Sequence, residues 1–141
     1  MLKPNRREKP SFLKENTDPI AVSGQLQLFE DNFNPVPEIE LRLYNGHSEG
    51  MAVPLIRYKD RTFVYTTDFI PTMANIPLSW IGGYDTQPLL SFAEREEFLN
   101  EAFEGNYILV FEHDYYVECC QLVMTEKGIR GKDLGNLSDW L

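Results

Sequence analysis

Two histidines and one aspartate have the side chains, and the positions along the chain, that could bind a metal or take part in catalysis. The chain contains only two histidines, and each, His47 and His113, follows a segment that reads as a β-strand. Asp68 stands in the same position after a third such segment. Strand ends at a sheet edge are where α/β proteins gather functional groups. Two imidazoles and one carboxylate suit Zn²⁺ or Fe²⁺, so the three residues are candidate metal ligands.

Each of the three residues also has a structural interpretation. A histidine in a turn often bonds to a backbone carbonyl, and an aspartate after a strand often caps a helix or an Asx turn. The position that all three share, directly behind a strand, is what favours a joint site.

The surrounding segments predict an α/β fold, at the border with α+β, with one mixed sheet and helices on one of its faces. Residues 38–44 alternate between apolar and polar side chains, which is typical of a half-buried strand. Residues 51–58 and 61–67 flank a two-residue turn and form the clearest hairpin. Residues 107–111 are wholly apolar and predict a buried strand.

The remaining segments predict one longer helix and several short elements. Ser91 and Glu94 form an S-x-x-E capping box that would start a helix over residues 92–103. Residues 69–88 predict a long loop, and long ordered loops usually carry function. The other predictions are a loose lead-in at 1–10, helical turns at 11–17 and 18–23, strands at 25–29 and 117–125, a loop at 32–37, and a turn at 126–131.

Composition restricts the class of protein. The 141 residues are 43% hydrophobic and 13% aromatic, which suits a single module over residues 1–141 with a real core. The formal net charge is −9 and most basic residues are scattered, so we expect no nucleic-acid partner. The two cysteines, Cys119 and Cys120, are adjacent, which excludes a disulfide framework and a CxxC site.

No apolar run approaches the ~20 residues that span a bilayer, and the polar N-terminus does not resemble a secretory signal. We therefore expect a cytoplasmic protein without a membrane partner.

Several motifs, taken in order, resemble those of one enzyme superfamily. The chain is similar to the C-terminal half of metallo-β-lactamase-fold hydrolases in residues 45–51 (NGHSEGM), 66–71 (TTDFIP) and 111–114 (FEHD). Residues 84–90 (YDTQPLL) and 125–128 (TEKG) fit one bacterial branch of it. The resemblance runs from about residue 7 to the C-terminus.

The resemblance implies a role for each candidate ligand. His47 would bind a first metal, Asp68 would bridge two metals, and His113 would bind the second. The implied cofactor is zinc, one or two ions, with iron as the alternative. The nucleophile would be metal-bound hydroxide, so no side chain is assigned as catalytic. The pocket for a small-molecule substrate would include Trp80, Tyr84 and Asp85.

The chain departs from the superfamily in one respect. The H-x-H-x-D-H motif of the N-terminal half, which supplies most of the remaining ligands, is absent. The implied function is therefore a metal-dependent hydrolase that is incomplete in this chain, and the alternative is a non-catalytic, self-associating module that binds metal weakly or not at all. A half-fold exposes an apolar sheet face. We expect a homodimer or larger oligomer, or a partner chain carrying the missing half.

Overall fold

The computed structural model describes residues 4–141, and its contacts divide the chain into two units that meet between Asp31 and Asn32. The described part of the first unit, residues 4–31, contains a 3-10 turn at Lys9–Ser11 and one helix, α1, at Lys14–Val22. Neither element has a buried residue.

The sequence predictions for the first unit are only partly correct. The two helical turns predicted at 11–17 and 18–23 are replaced by the single helix α1, which continues through Pro19. The strand predicted at 25–29 is wrong, because this segment is not in a strand and does not belong to the seven-stranded sheet of the described residues. Part of the predicted lead-in, residues 1–3, lies outside the described residues.

The second unit is built on a mixed seven-stranded sheet, which confirms the predicted α/β class. The strands lie in the sheet in chain order, and every neighbouring pair is antiparallel except β4 and β5. They are β1 at Phe33–Val36, β2 at Ile39–Tyr44, β3 at Met51–Tyr58, β4 at Arg61–Tyr65, β5 at Ile108–Val110, β6 at Cys119–Thr125 and β7 at Gly128–Gly135.

Both edge strands were missed in the sequence. The loop predicted at 32–37 contains β1, because an edge strand tolerates proline, which cannot donate a ladder hydrogen bond. The turn predicted at 126–131 is much shorter: Glu126 and Lys127 form it, Gly128 has a φ of +87°, and β7 follows directly. A glycine suits that left-handed backbone conformation.

The crossover between the parallel strands contains helix α2 at Pro88–Glu104. The predicted capping box is wrong. Pro88 is the first residue of the helix, where a backbone N–H would have no helical hydrogen-bond partner and its absence is therefore tolerated. Ser91 lies inside the helix. No helix within residues 4–141 is long and apolar enough to cross a membrane.

The two faces of the sheet are covered differently. On one face, apolar side chains of the central strands pack against Phe98, Leu99 and Ala102 of α2. On the opposite face, a smaller cluster contains Phe63, Ile108 and Cys119, with the C-terminal Leu137 and Trp140 against it. The register pairs the apolar stripe of β2 with β3 side chains on this second face, at Ile39↔Ile56, Leu41↔Pro54 and Leu43↔Ala52.

Candidate metal centre

The strand directions bring the three candidate ligands to one edge of the sheet. Strands β4 and β5 are parallel, and β2 points the same way because it is separated from β4 by one antiparallel strand. The three residues come after the carboxyl ends of these strands: His47 after β2, Asp68 after β4 and His113 after β5. They therefore lie at the same end of the sheet.

Asp68 lies between the two imidazoles, and we call this group the His–Asp–His cluster. Its Oδ2 lies 3.4 Å from Nε2 of His47, and its Oδ1 lies 3.0 Å from Nε2 of His113. Each carboxylate oxygen therefore faces a different histidine.

The backbone next to Asp68 is in an unusual conformation. Thr67 has a φ of +46°, a left-handed value that is rare for a β-branched residue. The preceding Thr66 is fully buried, and its hydroxyl donates to the carbonyl of Ile70 at 2.7 Å. Backbone conformations of this kind cluster at functional sites and persist where the surroundings hold them.

The ring of His47 has a second carboxylate behind it. Its Nδ1 lies 3.0 Å from Oδ1 of Asp85, which is only 5% exposed. Burial acts to raise the pKa of Asp85, but its hydrogen bonds and the positive charge of Arg95 outweigh that effect, so the pKa lies below its ordinary value. Tyr84 packs edge-on against the His47 ring, with the ring centroids 5.5 Å apart.

The loop that carries His47 is fastened to the start of α2. The Glu94 carboxylate accepts hydrogen bonds from the backbone N–H groups of Asn45 at 2.8 Å and Gly46 at 2.9 Å. The N–H of Thr86 donates to the carbonyl of His47 at 3.0 Å. A Cβ on Gly46 would lie 2.4 Å from backbone atoms of Ser91, so the loop approaches the helix as closely as only glycine allows.

His113 is held mainly through its backbone. Its N–H donates to the carbonyl of Pro71 at 3.1 Å. The carboxylate of the next residue, Asp114, accepts hydrogen bonds from the N–H groups of Met73, Tyr116 and Val117 at 3.0 Å each. This carboxylate fixes the loop and does not contact the imidazole in any hydrogen bond described for residues 4–141.

The three predicted pocket residues have different environments. Trp80 and Tyr84 are exposed. The carbonyl of Trp80 accepts a hydrogen bond from Nη1 of Arg95 at 3.1 Å. Asp85 is buried against His47. Partial desolvation of the Tyr84 hydroxyl, followed by the negative charges of Asp68 and Asp85, raises the pKa of Tyr84.

Sequence reasoning missed the support behind the cluster. Glu94 was assigned to a capping box, and it binds the His47 loop instead. Arg95 is fully buried on α2, with Nε and Nη2 lacking a hydrogen-bond partner within residues 4–141. The signal available in the sequence was the i, i+4 spacing of Ser91 and Arg95, polar positions on the buried face of an amphipathic helix.

The cluster has the donor chemistry of a zinc site but too few donors. Imidazole nitrogen and carboxylate oxygen are ordinary zinc ligands, and a catalytic zinc takes three protein ligands. Because Asp68 directs one oxygen to each histidine, one ion would receive two ligands from this chain. In agreement, no group of three histidine, cysteine, aspartate or glutamate side chains within residues 4–141 is arranged to hold an ion.

Solved structures supply the comparison, since no protein-family model and no curated protein sequence matches the chain. A probable metal-dependent hydrolase from Staphylococcus aureus is 27% identical and superposes with a TM-score of 0.68, over 79% of this chain and 41% of that one. AidC, a dizinc quorum-quenching lactonase, is 17% identical with a TM-score of 0.72, over 94% of this chain and 46% of its own. AbOPH, a hydrolase in the beta lactamase superfamily, is 12% identical with a TM-score of 0.70, over 87% of this chain and 43% of its own.

The chain has a metallo-β-lactamase-like fold. The predicted resemblance is thereby confirmed. The chain spans less than half the length of these three proteins, 41–46% in the three comparisons.

Proposed function

We propose that this chain is one part of a zinc-dependent hydrolase and that a second polypeptide segment completes its metal centre. The proposal rests on one observation: the two carboxylate oxygens of Asp68 lie close to different imidazoles. Oδ2 is 3.4 Å from Nε2 of His47, and Oδ1 is 3.0 Å from Nε2 of His113. A carboxylate arranged in this way suits a bridge between two ions, with His47 on one side and His113 on the other.

The proposed role of the chain's residues is to bind and orient. When bound, zinc supplies Lewis-acid activation of water and of the scissile carbonyl or phosphoryl group. Asp68 and the two histidines would hold the zinc, and the loop of residues 66–87 would border the substrate. Since AidC is a lactonase, a lactone is the first substrate class to test.

The remaining ligands come, in this proposal, from a partner that covers the sheet face opposite α2. A cavity of about 320 Å³ on that face is lined almost wholly by apolar side chains: Ile56, Tyr58, Phe63, Tyr65, Val110, Leu137 and Leu141. Covering such a surface contributes roughly 25 cal/mol per Å². The matched hydrolases are more than twice as long as the part this chain represents, which favours a completing half as the occupant over a second copy.

One observation favours the alternative, a non-catalytic module. The described residues place no three suitable side chains around one ion. In that case the chain associates with itself through the sheet face opposite α2 and binds zinc or iron weakly or not at all.

The test is a zinc titration of the chain, followed by NMR of its only two imidazoles. Under the proposal both rings respond to zinc, but weakly, because each ion receives only an imidazole and one carboxylate oxygen from this chain. Asp68→Ala weakens both responses together because the shared ligand is lost. Asp139→Ala, which alters a carboxylate at the far C-terminus, leaves them unchanged. Metal analysis of the purified chain before any zinc is added separates zinc from iron, and light scattering reports the oligomeric state.

Two results would contradict the proposal. If the NMR signals of both imidazoles did not change on addition of zinc and the chain formed a stable homo-oligomer, the non-catalytic module would be established. Retention of both responses at undiminished strength in Asp68→Ala would remove the bridging role.

A further inference from the structure

We infer that Asp85 is a positioning residue, which holds Nδ1 of His47 so that Nε2 is presented to Asp68. This inference rests on the proposed function insofar as Nε2 is the atom offered to a metal. It assigns to Asp85 a part in preparing the ligand, in place of the substrate-pocket role that the sequence suggested.

The ring of His47 has a carboxylate at each nitrogen, and the two contacts are unequal. Nδ1 lies 3.0 Å from Oδ1 of Asp85, and Nε2 lies 3.4 Å from Oδ2 of Asp68. The Asp85 side chain is 6% exposed, whereas that of Asp68 is 39% exposed and is shared with the second histidine.

This inequality determines which nitrogen keeps the proton. An ionised carboxylate only accepts hydrogen bonds, and a neutral imidazole has one N–H to donate. The shorter, buried contact therefore retains the proton on Nδ1, and Nε2 keeps its lone pair. A metal-binding histidine needs this state, in which the hydrogen bond at one nitrogen sets the tautomer and the orientation of the other.

Asp85 is itself held in place. Its N–H donates to the carbonyl of Gly82 at 3.0 Å, and the N–H of the following Thr86 donates to the carbonyl of His47 at the same distance. The positive charge of the buried Arg95 on α2 attracts the Asp85 carboxylate. Backbone and side chain of this segment thus both bind His47, which matches the arrangement by which carboxylates orient ligating imidazoles.

A purely structural role for Asp85 makes a different prediction. If the carboxylate only tethered the loop, its removal would lower stability without a defined change in the tautomer of His47. The tautomer is thus the quantity to measure, and heteronuclear NMR of the imidazole nitrogens reports it in the metal-free chain. His47→Gln assigns the signals, because the chain has only two histidines.

The variants are Asp85→Ala and the pair Asp85→Ala with Arg95→Met. In the single variant the buried guanidinium of Arg95 loses the Asp85 carboxylate as its counter-charge. The double variant removes this buried cation as well, so the test can still be made if the single variant fails to fold. Glu101→Gln is the matched control, because Glu101 accepts hydrogen bonds from Arg42 and Tyr107 and does not contact either histidine. Spectra are recorded at a pH where both rings are neutral.

The expected result has three parts. In the wild-type chain the Nδ1–H form of His47 predominates. In both Asp85 variants the Nε2–H form rises to become the major form, as in a free imidazole, while His113 is unchanged. In Glu101→Gln the tautomer of His47 stays as in the wild type.

Two outcomes would overturn the inference: a wild-type His47 that is already Nε2–H, or a tautomer ratio that survives both Asp85 variants. The zinc titration described above is scored separately. A tautomer change without any zinc response would leave Asp85 as the residue that orients His47 and would refute the metal function.

Discussion

The two histidines of the cluster face the same aspartate but differ in what stands behind them. The His47 side chain is 18% exposed and contacts carboxylates through both ring nitrogens. The His113 side chain is 53% exposed, and its contact with Asp68 involves one ring nitrogen. The orientation of His47 is therefore fixed at both ring nitrogens, whereas that of His113 is fixed at one.

The difference follows from the elements around each loop. The His47 loop lies against the start of α2, which supplies Glu94 and the close approach of Ser91. The His113 loop lies beside residues 71–73 and is fixed through Asp114 and its own backbone. A helix that packs on one face of the sheet thus preorganises one histidine and leaves the other open.

The largest expected effect is on stability when each imidazole is removed. His47→Ala removes a hydrogen-bond partner of the buried Asp85 carboxylate, and the loss of such a partner costs about 1–3 kcal/mol. His113→Ala removes an exposed contact with Asp68, and exposed contacts between such groups contribute at most about 1 kcal/mol. Urea unfolding of the two variants measures both costs. Equal losses would show that the two histidines are held alike.

The next effect concerns the approach of the His47 loop to α2. Gly46→Ala places a Cβ 2.4 Å from backbone atoms of Ser91, so loop and helix must separate. Overpacking of this kind costs about 1–3 kcal/mol, and we expect a matching loss in urea unfolding. Gly83→Ala is the control, since its Cβ would meet nothing within 4 Å. A neutral Gly46→Ala would mean that the loop is not fastened closely to the helix.

The sequence alone carries much of the fold. Strict alternation in β2 and the apolar run of β5 were enough to place those strands, because each pattern reflects burial on one face or on two. Strand β1 was missed because it contains Pro35 and most of its residues are exposed, so neither the hydrophobic periodicity nor a buried apolar run indicates a strand. The strand predicted at 25–29 failed because a short alternating segment cannot reveal whether a partner strand exists.

The cluster was predictable and its support was not. His47, Asp68 and His113 share a position behind strands of one direction, and strand direction follows from the hairpin and the crossover helix. Asp85 contacts His47 across 38 positions of chain, and Glu94 contacts Gly46 across 48. Pairings so distant depend on how α2 docks, which no local pattern encodes.

A smaller effect distinguishes the two carboxylates that fasten the loops. Glu94→Gln replaces one of the two acceptors used by Asn45 and Gly46, and a hydrogen bond of this kind contributes about 0.5–1.5 kcal/mol. We expect faster hydrogen exchange at those two amides and a broadened His47 signal, with His113 unaffected.

Asp114→Asn is the counterpart at the other loop. It weakens the acceptor for Met73, Tyr116 and Val117, so exchange should rise at those amides while Asn45 and Gly46 keep their protection. If either variant loosened both loops together, the two histidines would belong to one cooperative unit, and the contrast between them would fail.

The smallest effect is the acid dependence that Asp85 confers. Its folded pKa lies below the ordinary value of 3.8, so its contribution to stability is fully present above that pH and is lost as the pH falls through the folded pKa. Asp85→Asn lacks the contribution at neutral pH. The difference in unfolding free energy between wild type and variant should therefore shrink as the pH falls below about 4. Glu101→Gln should show the same trend, because the hydrogen bond from Arg42 lowers the pKa of Glu101, but only the Asp85 variant should change the His47 tautomer. A wild type that is less stable than Asp85→Asn at neutral pH would mean that the carboxylate destabilises the fold, and His47 would then owe its orientation to the backbone alone.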